Sequence, residues 1–218
     1  MRSVVICGGV LETEFILEKI ASFSPDQIIA MEKGVRFCMD NGLRVDCAVG
    51  DFDTIGDEII PLLEKNGTEV LRYPSEKDET DSEIAVRKAC ETGSDIICIL
   101  GATGGRLDHF MANISLLEYA KRCSGGSVSD VFIADSKNEI RLYEGKHVLK
   151  KSYVNNRYVS FIRFFGDPVI TLCGFRYDVA GYRMTSDNPS RCISNMIDDE
   201  EAYAEVRDGK VLMILASD

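Results

Sequence analysis

No stretch of this sequence is apolar for long enough to cross a membrane, and the apolar run near the N-terminus, Val4-Val5-Ile6-Cys7 before Gly8-Gly9, is too short for a secretory signal. The expected location is therefore the cytoplasm, with no membrane partner. Basic residues are in the minority: 25 Lys and Arg stand against 36 Asp and Glu, a formal net charge of -11. That balance excludes a nucleic-acid backbone as the main partner, which would need a basic surface. A metal-chelated anion or a cationic small molecule suits it better. There are two histidines, His109 and His147, one in each half, so no histidine pair suggests a metal site, and His109 reads as a first-turn helix residue. The eight cysteines include no CxxC pair and fall mostly within apolar stretches, which points to buried thiols in a reducing compartment rather than disulfides or zinc. GxxxxGK[ST] and GxGxxG are both missing, so any nucleotide site is of another kind.

What is present is enough for a sizeable core: 218 residues, 45% of them hydrophobic, as one large domain or two modest ones. In the first half, apolar runs at 3–7, 27–31, 47–49, 69–73 and 95–100 read as strands. They alternate with helical periods at 12–21, 33–41, 57–66, 81–92 and 107–123, three of them closed by Gly42, Gly67 and Gly93. Repeated βα steps imply a mostly parallel sheet with helices on both sides, whose ligands gather at the carboxyl ends of the strands.

The third strand ends in Gly50-Asp51-Phe52-Asp53. In an extended segment, residues i and i+2 point the same way, roughly 6 to 7 Å apart, so Asp51 and Asp53 would present their carboxylates together. Such a pair is costly unless a cation or a shared proton offsets it, and Mg2+ is the usual hard, oxygen-seeking ion. An acidic turn after a strand explains the same residues without function. The loops after the fourth and fifth strands break the tie. Asp78, Asp81 and Asp108 would join the first pair in one acidic rim, with Lys77 and Arg106 as fixed positive charges, and such a set can hold a metal-bound polyphosphate. Thr80-x-x-Glu83 is a capping box, and Asp81 suits a first helical turn. Gly104-Gly105 permits a tight turn, and in the functional reading offers bare N–H groups and a helix N-terminus to phosphate beside Arg106.

The second half changes character. The run 129–135 completes the parallel sheet, the boundary falls near Ser136, and short alternating runs at 139–143, 158–165, 169–173, 201–207 and 210–215 read as a smaller all-β sandwich. Asp208-Gly209 signals a hairpin between the last two. The polar stretch 180–195 is the best candidate in this half for ligand contact.

Three segments in order, Gly50-Asp51-Phe52-Asp53-Thr54-Ile55, Lys77-Asp78-x-Thr80-Asp81-x-Glu83 and Gly101-Ala102-Thr103-Gly104-Gly105-Arg106-Leu107-Asp108-His109, resemble thiamine pyrophosphokinases of the bacterial type; Ser190-Arg191-Cys192-Ile193-Ser194-Asn195 is similar to that family's thiamine segment. The resemblance implies an α/β catalytic domain at 1–136 for ATP and Mg2+, a β-sandwich thiamine-binding domain at 137–218, a homodimer with substrate sites shared between subunits, and transfer of pyrophosphate from ATP to thiamine with release of AMP. By position it implies Asp51, Asp53, Asp78 and Asp81 as metal ligands, with Asp108 and Arg106 joining them in catalysis. Lys77, Thr80, Thr103, Gly104, Gly105 and Arg106 would contact the nucleotide, and Ser194 and Asn195 the thiamine. Glu32-Lys33-Gly34 stands where the family usually has Asp-Gly-Gly, and there is no tryptophan to stack on thiamine. The rival readings are transfer to another heterocyclic alcohol, such as a hydroxymethylpterin, and a non-enzymatic nucleotide sensor.

Overall fold

The computed structural model describes residues 1–155 and 157–218, without the side chain of Asp57. The chain divides into two compact units, Met1–Ser136 and Lys137–Asp218. No helix among the described residues is long and apolar enough to cross a membrane.

In the first unit, β1 (Arg2–Ile6), β2 (Gln27–Met31), β3 (Cys47–Gly50), β4 (Glu69–Arg72), β5 (Ile96–Leu100) and β6 (Asp130–Ala134) form a parallel sheet in the order β4-β3-β2-β1-β5-β6. Alternate residues of each strand face opposite ways. Val4, Ile6, Ile28, Ala30, Cys98 and Leu100 enter one core with Ile16 and Ile20 of α1 (Thr13–Phe23), Val35 and Phe37 of α2 (Glu32–Asp40) and Leu63 of α3 (Ile60–Lys65). Val5, Ile29, Ile97 and Ile99 point away from that core and are equally buried. On their side α4 (Asp81–Glu91) packs across β1 to β3 and against α5 (Leu107–Cys123). The order reverses between β1 and β5: the first four strands build outward on one side of β1, and the chain then crosses to the other. A crevice at the strand ends is expected at that reversal.

The second unit is an antiparallel sheet of β7 (Asn138–Lys150), β10 (Glu201–Ala216), β8 (Tyr158–Cys173) and β9 (Val179–Arg183), in that order, with a short helix, α6 (Lys151–Val154). The sequence suggested more and shorter strands. Asp208-Gly209 does not close a hairpin: the segments on either side of it pair with the same neighbours, β7 and β8, as one continuous strand. The turn chemistry is used for a bend. Asp208 is left-handed (φ 61°), and so are Gly145 of β7 and Gly166 of β8 at the same level. The register to β8 slips between Arg207 and Gly209, and that to β7 between Val206 and Val211. Three adjacent strands thus bend together. Residues from both arms, Val159 with Ile170 and Val206 with Met213, meet in one buried cluster, which makes the unit sandwich-like.

Gly209 fits this bend because a Cβ there would lie 2.4 Å from the Phe165 carbonyl oxygen and 3.1 Å from the Pro168 nitrogen. Both obstacles are backbone, so the neighbouring strand would have to shift. Gly209→Ala is expected to cost about 2 kcal/mol and to lower the thermal midpoint by roughly 4–8 °C, read by calorimetry against the parent chain.

Candidate functional site

The crevice at the reversal is a cavity of about 920 Å³. Two turns are stitched together beneath it: the Gly9 N–H donates to the Gly101 carbonyl (2.8 Å) and the Val10 N–H to that of Thr103 (3.1 Å). A Cβ on Gly9 would stand 2.4 Å from the Gly101 oxygen, so the approach requires glycine. Gly8, Gly101, Gly104 and Gly105 also line the wall, leaving backbone rather than side chains facing the space.

The acidic wall comes from the turn after β3. Phe52 adopts a left-handed backbone (φ 63°), rare for a bulky residue, with its side chain fully buried in the core. Burial of the ring fixes this turn. Asp51 and Asp53 therefore converge around a turn, with the Asp53 N–H 3.3 Å from Asp51 Oδ1, and not by the alternation of an extended strand that the sequence suggested.

A third carboxylate joins them. Glu32, the first residue of α2, is 8% exposed and accepts the Phe52 N–H at 2.5 Å and the Thr54 N–H at 3.0 Å. Glu32, Asp51 and Asp53 each bring one oxygen within 4.8 Å of the others, the spacing of a hard divalent-cation site. The charges already interact. Burial, and then a hydrogen bond with Asp51, raise the Glu32 carboxyl above its ordinary value. Hydrogen bonds from Glu32 and from the Ser75 hydroxyl hold Asp51 well below the usual carboxylate range. The two shifts are opposite in sign, as expected where crowded carboxyl groups share a hydrogen bond.

Lys77 and Arg106 line the same cavity, and so does Lys33. The Lys77 ammonium lies 2.8 Å from Asp81 Oδ1 and donates to the Pro74 carbonyl at 3.2 Å. Thr80 caps α4, its hydroxyl accepting the Glu83 N–H at 3.2 Å, as the capping-box pattern predicts, and it also lines the cavity. Asp81 lines the cavity too, outside the close group of three acids. Asp78 is exposed and Asp108 turns to Arg106, its Oδ1 3.1 Å from Nε and its Oδ2 2.5 Å from Nη2; neither lines the cavity. The Arg106 guanidinium holds Asp108 down to about 2. Thr103 contributes its carbonyl to the stitch and does not line the space, whereas Gly104, Gly105 and His109 do.

Sequence reading missed Glu32, Lys33 and the brace formed by Ser82 and Asn113. The buried Asn113 carboxamide accepts the Ser82 hydroxyl at 2.9 Å and donates to the Ala102 carbonyl at 3.0 Å, tying α4 and α5 to the loop after β5. Two signals pointed to Glu32: Glu32-Lys33-Gly34 stands where the family usually has Asp-Gly-Gly, and Glu32 follows β2, level with the acidic turn of its neighbour β3.

Ser194 and Asn195 belong to the second unit. Ser194 is exposed, left-handed (φ 56°), and donates its N–H to the Ser160 hydroxyl at 3.0 Å. Asn195 is 2% exposed, and its carboxamide grips the backbone of Tyr177, accepting its N–H at 3.0 Å and donating to its carbonyl at 2.9 Å. Its side chain therefore shapes the loop, leaving the Tyr177 ring exposed beside it.

Comparison with known proteins agrees along the chain. The family model described as "Thiamin pyrophosphokinase, catalytic domain" matches residues 22–124, and "Thiamin pyrophosphokinase, vitamin B1 binding domain" matches residues 146–211. The thiamine pyrophosphokinase of Bacillus subtilis is 34% identical over 192 residues, 87% of each chain. A solved thiamine pyrophosphokinase structure from Bacillus subtilis superposes with a TM-score of 0.84 at 29% identity, covering all of both chains. One from Geobacillus thermodenitrificans gives 0.81 at 29% identity, covering 100% of this chain and 98% of that one. With two family models in sequence and a relative of this identity over most of its length, the chain belongs to the thiamine pyrophosphokinase family.

Proposed function

We propose that the protein transfers a pyrophosphoryl group from ATP to the hydroxyl of thiamine, giving thiamine diphosphate and AMP. The observation that carries this reading is the gathering of Glu32, Asp51 and Asp53 in one cavity with Lys33, Lys77 and Arg106, at the reversal between β1 and β5. Three carboxylate oxygens so close suit Mg2+, which favours all-oxygen ligands. In this reading Glu32, Asp51 and Asp53 hold the ion, and Mg2+ supplies charge neutralisation to the polyphosphate.

The chain's own groups do the rest. The exposed Arg106 guanidinium gives charge-assisted hydrogen bonds to the transferred group, and Lys77, oriented by Asp81, counters its charge. The bare N–H groups of Gly104 and Gly105, at the N-terminus of α5, suit phosphate oxygens. Residues 137–218 take the thiamine, a reading supported by the vitamin B1 binding model over 146–211. That match favours thiamine over a pterin alcohol as acceptor. The net charge of -11 suits a substrate with a permanently cationic ring. The working form is a cytoplasmic homodimer with sites shared between subunits, and the mostly buried cysteines accord with a reducing compartment.

Purified protein incubated with Mg2+, ATP and thiamine should yield AMP and thiamine diphosphate by phosphorus NMR; ADP with thiamine monophosphate, or ATP binding without turnover, would refute the reading. Asp51→Asn should reduce AMP formation by at least about 100-fold with the circular dichroism spectrum unchanged. Glu32→Gln, which removes the charge and keeps one of the two oxygens that accept the Phe52 and Thr54 N–H groups, should raise the Mg2+ concentration giving half-maximal rate by roughly 10- to 100-fold. An unaltered Mg2+ titration would remove Glu32 from the ligand set.

A further inference from the structure

Away from the cavity, α4 and α5 run side by side in three rungs. Ser82 meets Asn113, Arg87 interacts with Tyr119, and Cys90 meets Cys123, at sequence separations near 32 throughout, which is the pattern of parallel helices. At the last rung the two sulfurs are 2.9 Å apart, and each lies 3.6 Å from the same Ala120 carbonyl. Cys123 is exposed at the end of α5, whereas Cys90 is partly buried at the end of α4. The other cysteines are dispersed: Cys7, Cys38, Cys47, Cys98 and Cys192 are buried, and Cys173 is exposed in the second unit.

We propose that Cys90 and Cys123 are a reversible dithiol–disulfide site that clamps the C-terminal ends of α4 and α5, the two helices whose N-terminal ends carry Asp81 and Arg106. The inference does not depend on the acceptor alcohol or on the metal. The oxidant it requires is a small disulfide of the glutathione type. The Cys123 thiol loses its proton and the thiolate attacks one sulfur of that disulfide, forming a mixed disulfide and expelling one glutathione thiolate, which takes up a proton. The Cys90 sulfur then loses its proton and attacks Cys123 Sγ; the protein disulfide forms and a second glutathione thiolate leaves and is protonated. Two protein thiols are oxidised and one glutathione disulfide is reduced to two thiols. The order follows from access and acidity: Cys123 meets solvent, while burial pushes the Cys90 thiol up to about 12. Contact between the sulfurs makes the second step intramolecular, which offsets the small thiolate fraction of Cys90.

The test uses the whole chain, equilibrated with glutathione disulfide and glutathione in graded ratios, then acid-quenched, alkylated and mapped by peptide mass without reduction. The wild type should give a Cys90–Cys123 cross-linked peptide and no lasting glutathione on Cys123, while Cys173 carries the mixed disulfide. In Cys90→Ser the mixed disulfide should remain on Cys123, and in Cys123→Ser Cys90 should stay unmodified. The oxidised wild type should melt higher by roughly 5–10 °C, reversed by dithiothreitol, because the link closes a long loop in the unfolded chain. A stable glutathione adduct on Cys123 of the wild type, a cross-link mapping to other cysteines, or a midpoint that does not rise on oxidation would each overturn the proposal.

Discussion

The Glu32 carboxylate accepts two backbone N–H groups from the turn after β3, and the acidic wall of the cavity is arranged around that contact. Without those acceptors the Phe52 and Thr54 donors would lack partners in a partly buried turn, at a cost of about 1–3 kcal/mol each. Burial of the Phe52 ring offsets the unfavourable left-handed backbone beneath it, and the flanking aspartates are thereby turned toward Glu32. One local bargain sets both the shape of the loop and the crowding of its charges. A cluster of like charges is unfavourable by itself, so the fold holds the loop in a form that a cation would relieve.

Topology explains why the cations arrive at the same place. Lys77 precedes α4 and Arg106 precedes α5, helices that cover the face of the sheet opposite the α1–α3 core, and both begin at the strand ends. Because β1 and β5 are neighbours although far apart in sequence, the Gly8-Gly9 turn and the Gly101–Arg106 loop meet. The Asn113–Ser82 brace fixes the start of α4 against α5, so the loops that carry Lys77 and Arg106 are referred to a single frame.

The βα alternation of the first unit was legible because buried parallel strands are continuous apolar runs and their helices keep a 3.6-residue period. The Asp51/Asp53 pair was legible as a pair, but its geometry was not: alternation assumes an extended chain, and Phe52 leaves that region because its ring finds a place in the core. Glu32 was legible only as a departure from the family's usual Asp-Gly-Gly, and its role was not, because its partners lie 20 and 22 residues onward. Asp78 and Asp108 share the loops of the site residues without facing the cavity, a distinction of side-chain direction that spacing cannot resolve. In the second unit, Asp208-Gly209 carries the residue types of a hairpin turn, and only the pairing of both flanks with the same two strands shows that it is a bend.

The aligned bends at Gly145, Gly166 and Asp208 also limit how this unit can change its length. Each strand has two arms, and all three must change direction at a common level if the arms are to stay paired. Adding one residue to an arm of β10 alone would flip its side chains between core and solvent relative to both neighbours. Changes of length are therefore expected in the connections outside the strands; within 184–200, Asn195 pairs with Val159 and Ile197 with Phe175, which leaves the exposed residues 186–191 as the place for them. The exposed tip able to vary in size thus lies just before Ser194 and Asn195, the candidate ligand contacts of this unit.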